Sequence, residues 1–447
     1  MKNERCWRFL ALALALAMAL SAPTASAQTV GGADSIAVEE VRKLIGRVNP
    51  ELDARRATIA AAEARVSAAG ALGPALLSAE LEEVPDGFDV TDAGSFRLDL
   101  GREVSGGGRG AASRAMAGQA VARARVELTL AERGLLARAG GLLVHHLGSL
   151  AVAERLVAQD SLLAGVEEAL TTRFAVGQSR YVDVLRLRAE RLQNRAEIAE
   201  ARSEALRGRQ GLFALIEPTD TVVRQLTVLL DRLAERAQVV MHAVAFPPAP
   251  SLDSLVAVSA PIQLAEVALR QAEAGVLVAA AEHRARVNAS VGVQRFEGED
   301  GRHSIGPTMG ASVTLPFTAR GAGRASRLAA EHNVLVARAE QRAAVSTARA
   351  SLRAALDRYE VAVANAALFQ AGLMRGARDE RENALAGYRT GALSLLELLD
   401  FERALVQAEV SQQRSRIAAA QALADLLGAG ADVTHRMSGE PSSGGEL

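Results

Sequence analysis

Where this chain lacks proline constrains its fold more than any other feature. No proline occurs from Asp86 to Glu217 or from Phe317 to Glu440, and both runs are rich in Ala, Leu, Arg and Glu. A proline inside a helix removes a hydrogen bond and clashes with the preceding turn, at a cost of about 3 kcal/mol. Two proline-free runs of this length are what very long helices require. Residues 111–172 as one helix would measure about 90 Å, and residues 325–387 would match it. Pro218 and Pro247-Pro248-Ala249-Pro250 mark a connector at 217–250. The Gly-, Ser- and Glu-rich tail at 429–447 reads as disordered.

The two runs belong to two similar halves. Phe174-Ala175-Val176-Gly177 followed by Asp183-Val184-Leu185 returns, 214 residues on, as Tyr388-Arg389-Thr390-Gly391 followed by Glu397-Leu398-Leu399. Ala112-Ser113-Arg114 returns as Ala325-Ser326-Arg327, 213 residues on, and Pro50 as Pro261, 211 residues on. Three markers with one drifting offset indicate a tandem duplication of residues 36–216 and 251–428.

Each half also carries two stretches of period two. Leu77-Ser78-Ala79-Glu80-Leu81-Glu82 and Phe96-Arg97-Leu98-Asp99-Leu100 alternate apolar with polar. So do Val287–Gln294 and Met309–Phe317. The expected strands, about 76–84, 95–104, 287–296 and 308–317, each have one apolar face. Nine or ten residues is the length a tilted strand needs to cross a bilayer. Ordinary hairpins on a soluble core are the alternative. Four strands cannot close a barrel, and lipid tolerates no open sheet edge. Membrane strands would therefore require oligomerisation.

The N-terminus reads as an address. Lys2, Arg5 and Arg8 precede a twelve-residue apolar run, Phe9–Leu20, and small residues end in Ala25-Ser26-Ala27. This is the pattern of a cleaved signal peptide, residues 1–27, with Gln28 as the mature start. Cys6 and Trp7, the only residues of their types, lie inside it. The mature chain would have no disulfide and no cysteine for a lipid anchor. With 51 Lys+Arg against 52 Asp+Glu, there is no basic excess to suggest nucleic-acid binding.

Signal peptide, duplicated halves, two hairpins and paired long helices together resemble the TolC-type outer-membrane efflux proteins. The resemblance covers residues 36–428. Its sharpest residues are Phe174-x-x-Gly177-x5-Asp183-x-Leu185 and Tyr388-x-x-Gly391-x5-Glu397-x-Leu399. Glu103-Val104-Ser105-Gly106-Gly107-Gly108-Arg109 is similar to the Gly-Gly-Lys/Arg turn of the heavy-metal-efflux branch, and Asn49-Pro50-Glu51-Leu52 and Leu315-Pro316-Phe317 also have counterparts. The resemblance implies a mainly α fold with a small β part. Duplicated long-helix hairpins would form an α-barrel, and a homotrimer would close a twelve-stranded transmembrane β-barrel. It further implies a passive exit duct in the outer membrane, served by a periplasmic adaptor and an inner-membrane pump of the resistance-nodulation-division type. The cargo classes are metal cations, drugs or proteins. A periplasmic coiled-coil scaffold without a pore is the alternative.

Gly177 and Gly391 each separate two apolar-periodic segments, and glycine suits a tight reversal because it accepts positive φ. By resemblance these turns, with Phe174 and Tyr388, are the tips where the adaptor docks. By the same resemblance, Asp183, Tyr388, Glu397 and Asp400 form the periplasmic entrance gate. Glu397 and Asp400, three apart, share a helix face, and a trimer would gather six of these carboxylates on one axis. The basic partner expected two residues after the second glycine is replaced by Leu393. Either the latch is missing or another arginine makes it.

No enzyme is expected, and no cofactor or metal site. Gly106-Gly107-Gly108 lacks the Gly-Lys-Ser/Thr ending of a phosphate loop. His145 and His146 are adjacent and point about 100° apart on a helix, whereas paired helical ligands need i, i+3 or i, i+4 spacing.

Overall fold

A computed structural model describes residues 31–69, 71, 74–82, 95–104, 108–244, 246–297, 303–315, 320–390 and 392–428. The signal peptide and its cleavage site at Gln28, the loop residues 83–94, Gly106, Gly107, Pro316, Phe317, Gly391 and the tail 429–447 lie outside the described residues.

The chain is mainly helical with one small sheet. Helices α1 (Gly31–Val48) and α2 (Pro50–Ala69) lead into strands β1 (Ala75–Glu82) and β2 (Ser95–Val104). Then come α3 (Arg109–Ala175), α4 (Tyr181–Phe213), α5 (Asp220–Ala234), α6 (Ala237–Ala243), α7 (Leu252–Ala257) and α8 (Ala260–Glu282). Strands β3 (Arg286–Glu297) and β4 (His303–Thr314) precede α9 (Arg320–Leu368), a π-helical segment (Phe369–Leu373), α10 (Met374–Arg389) and α11 (Leu395–Gly428).

Three expectations need adjustment. The first proline-free run does hold a 67-residue helix, α3. Its counterpart is interrupted by the π segment, whose flanks Leu368 and Met374 remain helical. Absence of proline permits a long helix but does not specify the i→i+4 ladder throughout. The connector 217–250 contains two helices, because α5 is strongly amphipathic and buries Leu226, Leu230 and Leu233. Finally, β4 starts at His303 and takes in Pro307. Proline is tolerated there because β4 is an edge of the sheet.

The chain divides into two compact units. One comprises residues 54–128 and 262–345 and contains the sheet, an antiparallel meander in the order β1-β2-β3-β4. Register sorts its side chains cleanly. One face stacks the rows Leu81-Phe96-Arg295-Ile305, Ala79-Leu98-Val293-Pro307, Leu77-Leu100-Val291-Met309 and Ala75-Arg102-Ala289-Ala311. Among the described residues this face stands open: Met309 is 89% exposed, and Leu77, Leu100 and Val291 are also exposed.

The opposite face is polar. Arg97 donates to Gln294 Oε1 at 3.2 Å, and Thr308 Oγ1 donates to Asp99 Oδ1 at 3.0 Å. Asp99 on β2 reaches Thr308 on β4 by passing over Gly292 on β3. A Cβ on Gly292 would come within 2.3 Å of Asp99 Oδ1, so glycine is required for the bridge. At the foot of the hairpins, Arg109 donates to Glu103 and to the Glu282 carbonyl, which joins β2, α3 and α8. Gly108 precedes it at φ +81°.

The other unit spans residues 1–53, 129–261 and 346–447, and its described residues are mainly helical. Asn49 caps α2 by accepting from Leu52 N–H and also donates to the Leu215 carbonyl. Pro50 follows at the first helical position, where a missing N–H costs nothing. Helices α3 and α4 approach closely where Gly208 lies against the His146 backbone; a Cβ there would sit 2.8 Å from His146 N. Val152, Leu156, Ile198, Val406 and Val410 join α3, α4 and α11 in one apolar cluster. In another, Tyr359 is buried against Leu255, Leu352 and Leu426 and satisfies its hydroxyl on the Pro247 carbonyl at 2.6 Å. Burial pushes that phenol well above its ordinary range.

Candidate functional site

The two helical reversals of the second unit carry the residues singled out by motif. The first joins α3 to α4. Gln178 N–H donates to the Arg173 carbonyl at 2.8 Å and Gly177 N–H to the Phe174 carbonyl at 3.0 Å. That pair of bonds closes a helix with a left-handed residue after the cap, and Gly177 is that residue, at φ +75°. Ser179 Oγ ties the turn back to the Leu170 carbonyl. The rings of Phe174 and Tyr181 pack at 5.3 Å. Phe174, Val176, Tyr181, Val182 and Leu185 are all exposed, so the turn presents an apolar knob to solvent. Asp183 is buried at the third position of α4, against the positive end of the helix, and pairs with Arg180 at 3.3 Å.

The second reversal joins α10 to α11. Thr390, at φ −85°, donates through Oγ1 to the Gly387 carbonyl. Half-buried Tyr388 lies in the last turn of α10. Leu393 packs over Gly387; a Cβ on that glycine would meet Leu393 Cδ1 at 2.9 Å. The position that was expected to be basic therefore serves the turn itself. Ser394 and Glu397 form a reciprocal cap: Glu397 Oε2 accepts from Ser394 N–H at 2.7 Å, and Ser394 Oγ accepts from Glu397 N–H at 3.3 Å. These bonds from Ser394 hold the exposed Glu397 carboxyl below the usual carboxylate range, so it is ionised at neutral pH. Gly391 lies outside the described residues.

Asp400 is exposed and accepts from Arg403 at 3.0 Å. The same guanidinium reaches Glu190 on α4 at 2.8 Å, which clamps α11 to α4 and raises the Arg403 pKa. Leu399 on the neighbouring face packs with Leu163, Leu170, Val184 and Leu187 of α3 and α4. Each expected gate acid thus has a local partner. Asp183 meets Arg180, Asp400 meets Arg403, and Glu397 meets its own helix start, with no arginine paired to it among the described residues. Arg180 and Arg403 are the cations that motif comparison missed. The Ser394-x-x-Glu397 signature was readable as a cap, whereas Arg403 could not be tied to Glu190, 213 residues away, without the fold.

Beside this clamp a polar groove of about 640 Å³ opens, lined by Gln159, Arg186, Glu190, Asn194, Asp400 and Arg403. On its α3 side Arg191 binds both Asp160 and Glu167. The Arg191 and Arg188 guanidiniums hold Glu167 below its ordinary pKa. For Asp160, burial pushes upward but Arg191 and Arg195 outweigh it, so it too stays low.

The histidines play other parts. His146 is buried and its Nδ1 contacts the Ala205 carbonyl at 2.8 Å; burial lowers its pKa. His145 pairs with Glu204 at 3.0 Å. Among the described residues no three His, Cys, Asp or Glu side chains converge for a metal.

A four-stranded meander flanked by long helices, with two capped helical reversals in a separate unit, is the fold of the TolC-type outer-membrane channels. The chain is similar to the CmeC outer-membrane channel of Campylobacter jejuni, with 14% identity, TM-score 0.67, and 92% of this chain and 89% of that chain covered. It is similar to the outer-membrane protein VceC of Vibrio cholerae, with 18% identity, TM-score 0.65, and 88% and 96% covered. It is also similar to CusC, a protein that forms a transmembrane channel, with 14% identity, TM-score 0.66, and 87% and 91% covered. No family model and no curated protein sequence matches the chain.

Proposed function

We propose that this protein is the outer-membrane exit duct of a tripartite exporter. The sheet carries the argument. Its apolar rows are uncovered, its other face is polar, and β1 and β4 are open edges. Unpaired edge groups cost several kcal/mol each in lipid, so the four strands must join others. Three protomers give a closed twelve-stranded barrel, apolar outside and polar inside. A periplasmic scaffold without a pore would have no use for the uncovered row Leu77-Leu100-Val291-Met309.

In this reading residues 1–27 direct export and are removed, and no lipid anchor remains. Residues 36–216 and 251–428 are duplicated halves that each contribute a hairpin and a helical reversal. The apolar knob around Phe174 and Gly177, with its counterpart at Tyr388 and Gly391, docks a periplasmic adaptor. An inner-membrane pump of the resistance-nodulation-division type drives cargo, and the duct conducts passively. The test is detergent extraction of the outer-membrane fraction followed by mass measurement, with a trimer expected. Recovery in the soluble periplasm, or a monomer that retains full sheet signal, would refute the proposal.

The acids at the second reversal form the narrow entrance, and heavy-metal cations are a cargo class that suits such a ring. Asp400 shares Arg403 with Glu190, so Glu397 supplies most of the uncompensated charge. Glu397→Gln keeps the cap, since glutamine also accepts from Ser394 N–H. Glu397→Gln with Asp400→Asn should abolish cation selectivity and block by trivalent cations in planar bilayers, with most of the change already present in Glu397→Gln alone. Unchanged selectivity in the double variant would mean that the acids face bulk solvent.

A further inference from the structure

The unit that carries the two reversals has a second groove, between α1 and α5. The two helices pack together. Helix α1 buries Val41 and Ile45, and α5 buries Leu226, Leu230 and Leu233. Each keeps further apolar residues outside that core: Leu44 on α1 is half-buried, and on α5 Leu229 is half-buried and Val228 is 57% exposed. These three line a groove of about 500 Å³.

The charged part of the lining is cationic on both walls. Lys43 and Arg47 stand one turn apart on α1, and Arg224 and Arg232 two turns apart on α5. Among the described residues Glu40 is the one acid in the lining. Two of the cations have neighbours: Lys43 lies 3.8 Å from Glu39, and Arg224 donates to the Asp220 carbonyl at 3.2 Å. Arg47 and Arg232 are exposed and have no acidic partner among the described residues. Cations on facing walls of one cleft raise the local concentration of anionic groups.

We propose that this groove docks an acidic amphipathic helix of a partner protein. The groove lies within one unit, so the inference goes beyond the duct reading and does not depend on it.

The lining sets the chemistry of the partner. Arg224 and Arg232 are separated by about 12 Å along their helix, at 1.5 Å per residue. Carboxylates two turns apart on a helix laid along the groove match that spacing. Apolar side chains between those carboxylates would cover Leu44, Val228 and Leu229, in the way an amphipathic helix fills a groove. The Lys and Arg stems would close over the apolar seam while their charges meet the acids. A polyanion without an apolar face would pair with the cations but leave the lining wet.

Lys43 makes the docking measurable. It is the only lysine after residue 27, so it carries the one side-chain amine that a carbodiimide can join to a bound carboxylate. The test adds a synthetic N-acetylated helical peptide, with leucines at i and i+4 between rows of glutamate, to the full-length protein in detergent. The peptide should bind, and its coupling should map to Lys43. Arg47→Gln with Arg232→Gln should weaken binding by at least tenfold. No coupling at Lys43, equal binding of the same peptide with lysine in place of glutamate, or unchanged affinity in the double variant would overturn the proposal. Polyglutamate binding as tightly as the peptide would also overturn it, by making the groove a general anion site. So would a Lys43 that resists acylation in the assembled protein and reacts after dissociation, which would put a second copy of this chain in the groove. The mass of the assembly, measured on the same sample, tests the duct reading separately.

Discussion

Met309→Arg should eliminate the assembled trimer from the outer membrane. Met309 is the most exposed of the apolar residues on the sheet face and sits in an uncharged row, between the Arg102 and Arg295 rows. An arginine near the middle of a bilayer on the lipid face of a barrel costs about 2–4 kcal/mol. Three copies place about 6–12 kcal/mol on one trimer, as much as the whole stability of many domains. Ser312→Arg is the control. It is three residues away on the same strand but on the polar face, opposite Asn288, where a lumenal charge is solvated. Both variants are compared by outer-membrane fractionation and by the yield of intact trimer. Equal recovery of Met309→Arg and Ser312→Arg would mean that the uncovered face does not meet lipid.

Gly177→Val should cost most of the export activity while protein level and trimer remain. The space around Gly177 is open, with no atom within 4 Å of a built Cβ, so crowding is not the issue. The backbone is: at φ +75° a β-branched residue is strained by about 1–3 kcal/mol. Relaxing that strain breaks the bonds from Gly177 N–H and Gln178 N–H that close α3, and rotates the knob of Phe174, Val176 and Tyr181. Because 1.4 kcal/mol is tenfold in an equilibrium, adaptor docking should weaken by about ten- to a hundredfold. Cross-linking to the adaptor and an efflux assay read this directly. Full export with normal docking would make Gly177 an ordinary turn residue.

Much of this architecture is written in local pattern. The proline-free runs and the alternation of Leu77–Glu82 and Phe96–Leu100 depend only on backbone sterics and side-chain period, and these act within a few residues. The same holds for the turn at Gly177, where glycine alone accepts the required φ, and for the cap at Ser394 and Glu397, which closes within four positions. Other features depended on partners far along the chain. Arg403 is one of many arginines until α11 lies beside α4 and Glu190 comes within 2.8 Å. Gly292 reads as a weak point in a strand until Asp99 must pass over it to reach Thr308. Leu393 reads as a missing cation until Gly387 offers it a bare backbone to pack on.

The π segment at Phe369–Leu373 has no equivalent cue, because Ala, Leu and Gln suit either ladder. Helix, strand and turn were thus determined by the chain's own short-range chemistry. Which charges pair, which glycines are indispensable and where a long helix shifts its register were decided only by packing, because each depends on distances that no single segment contains.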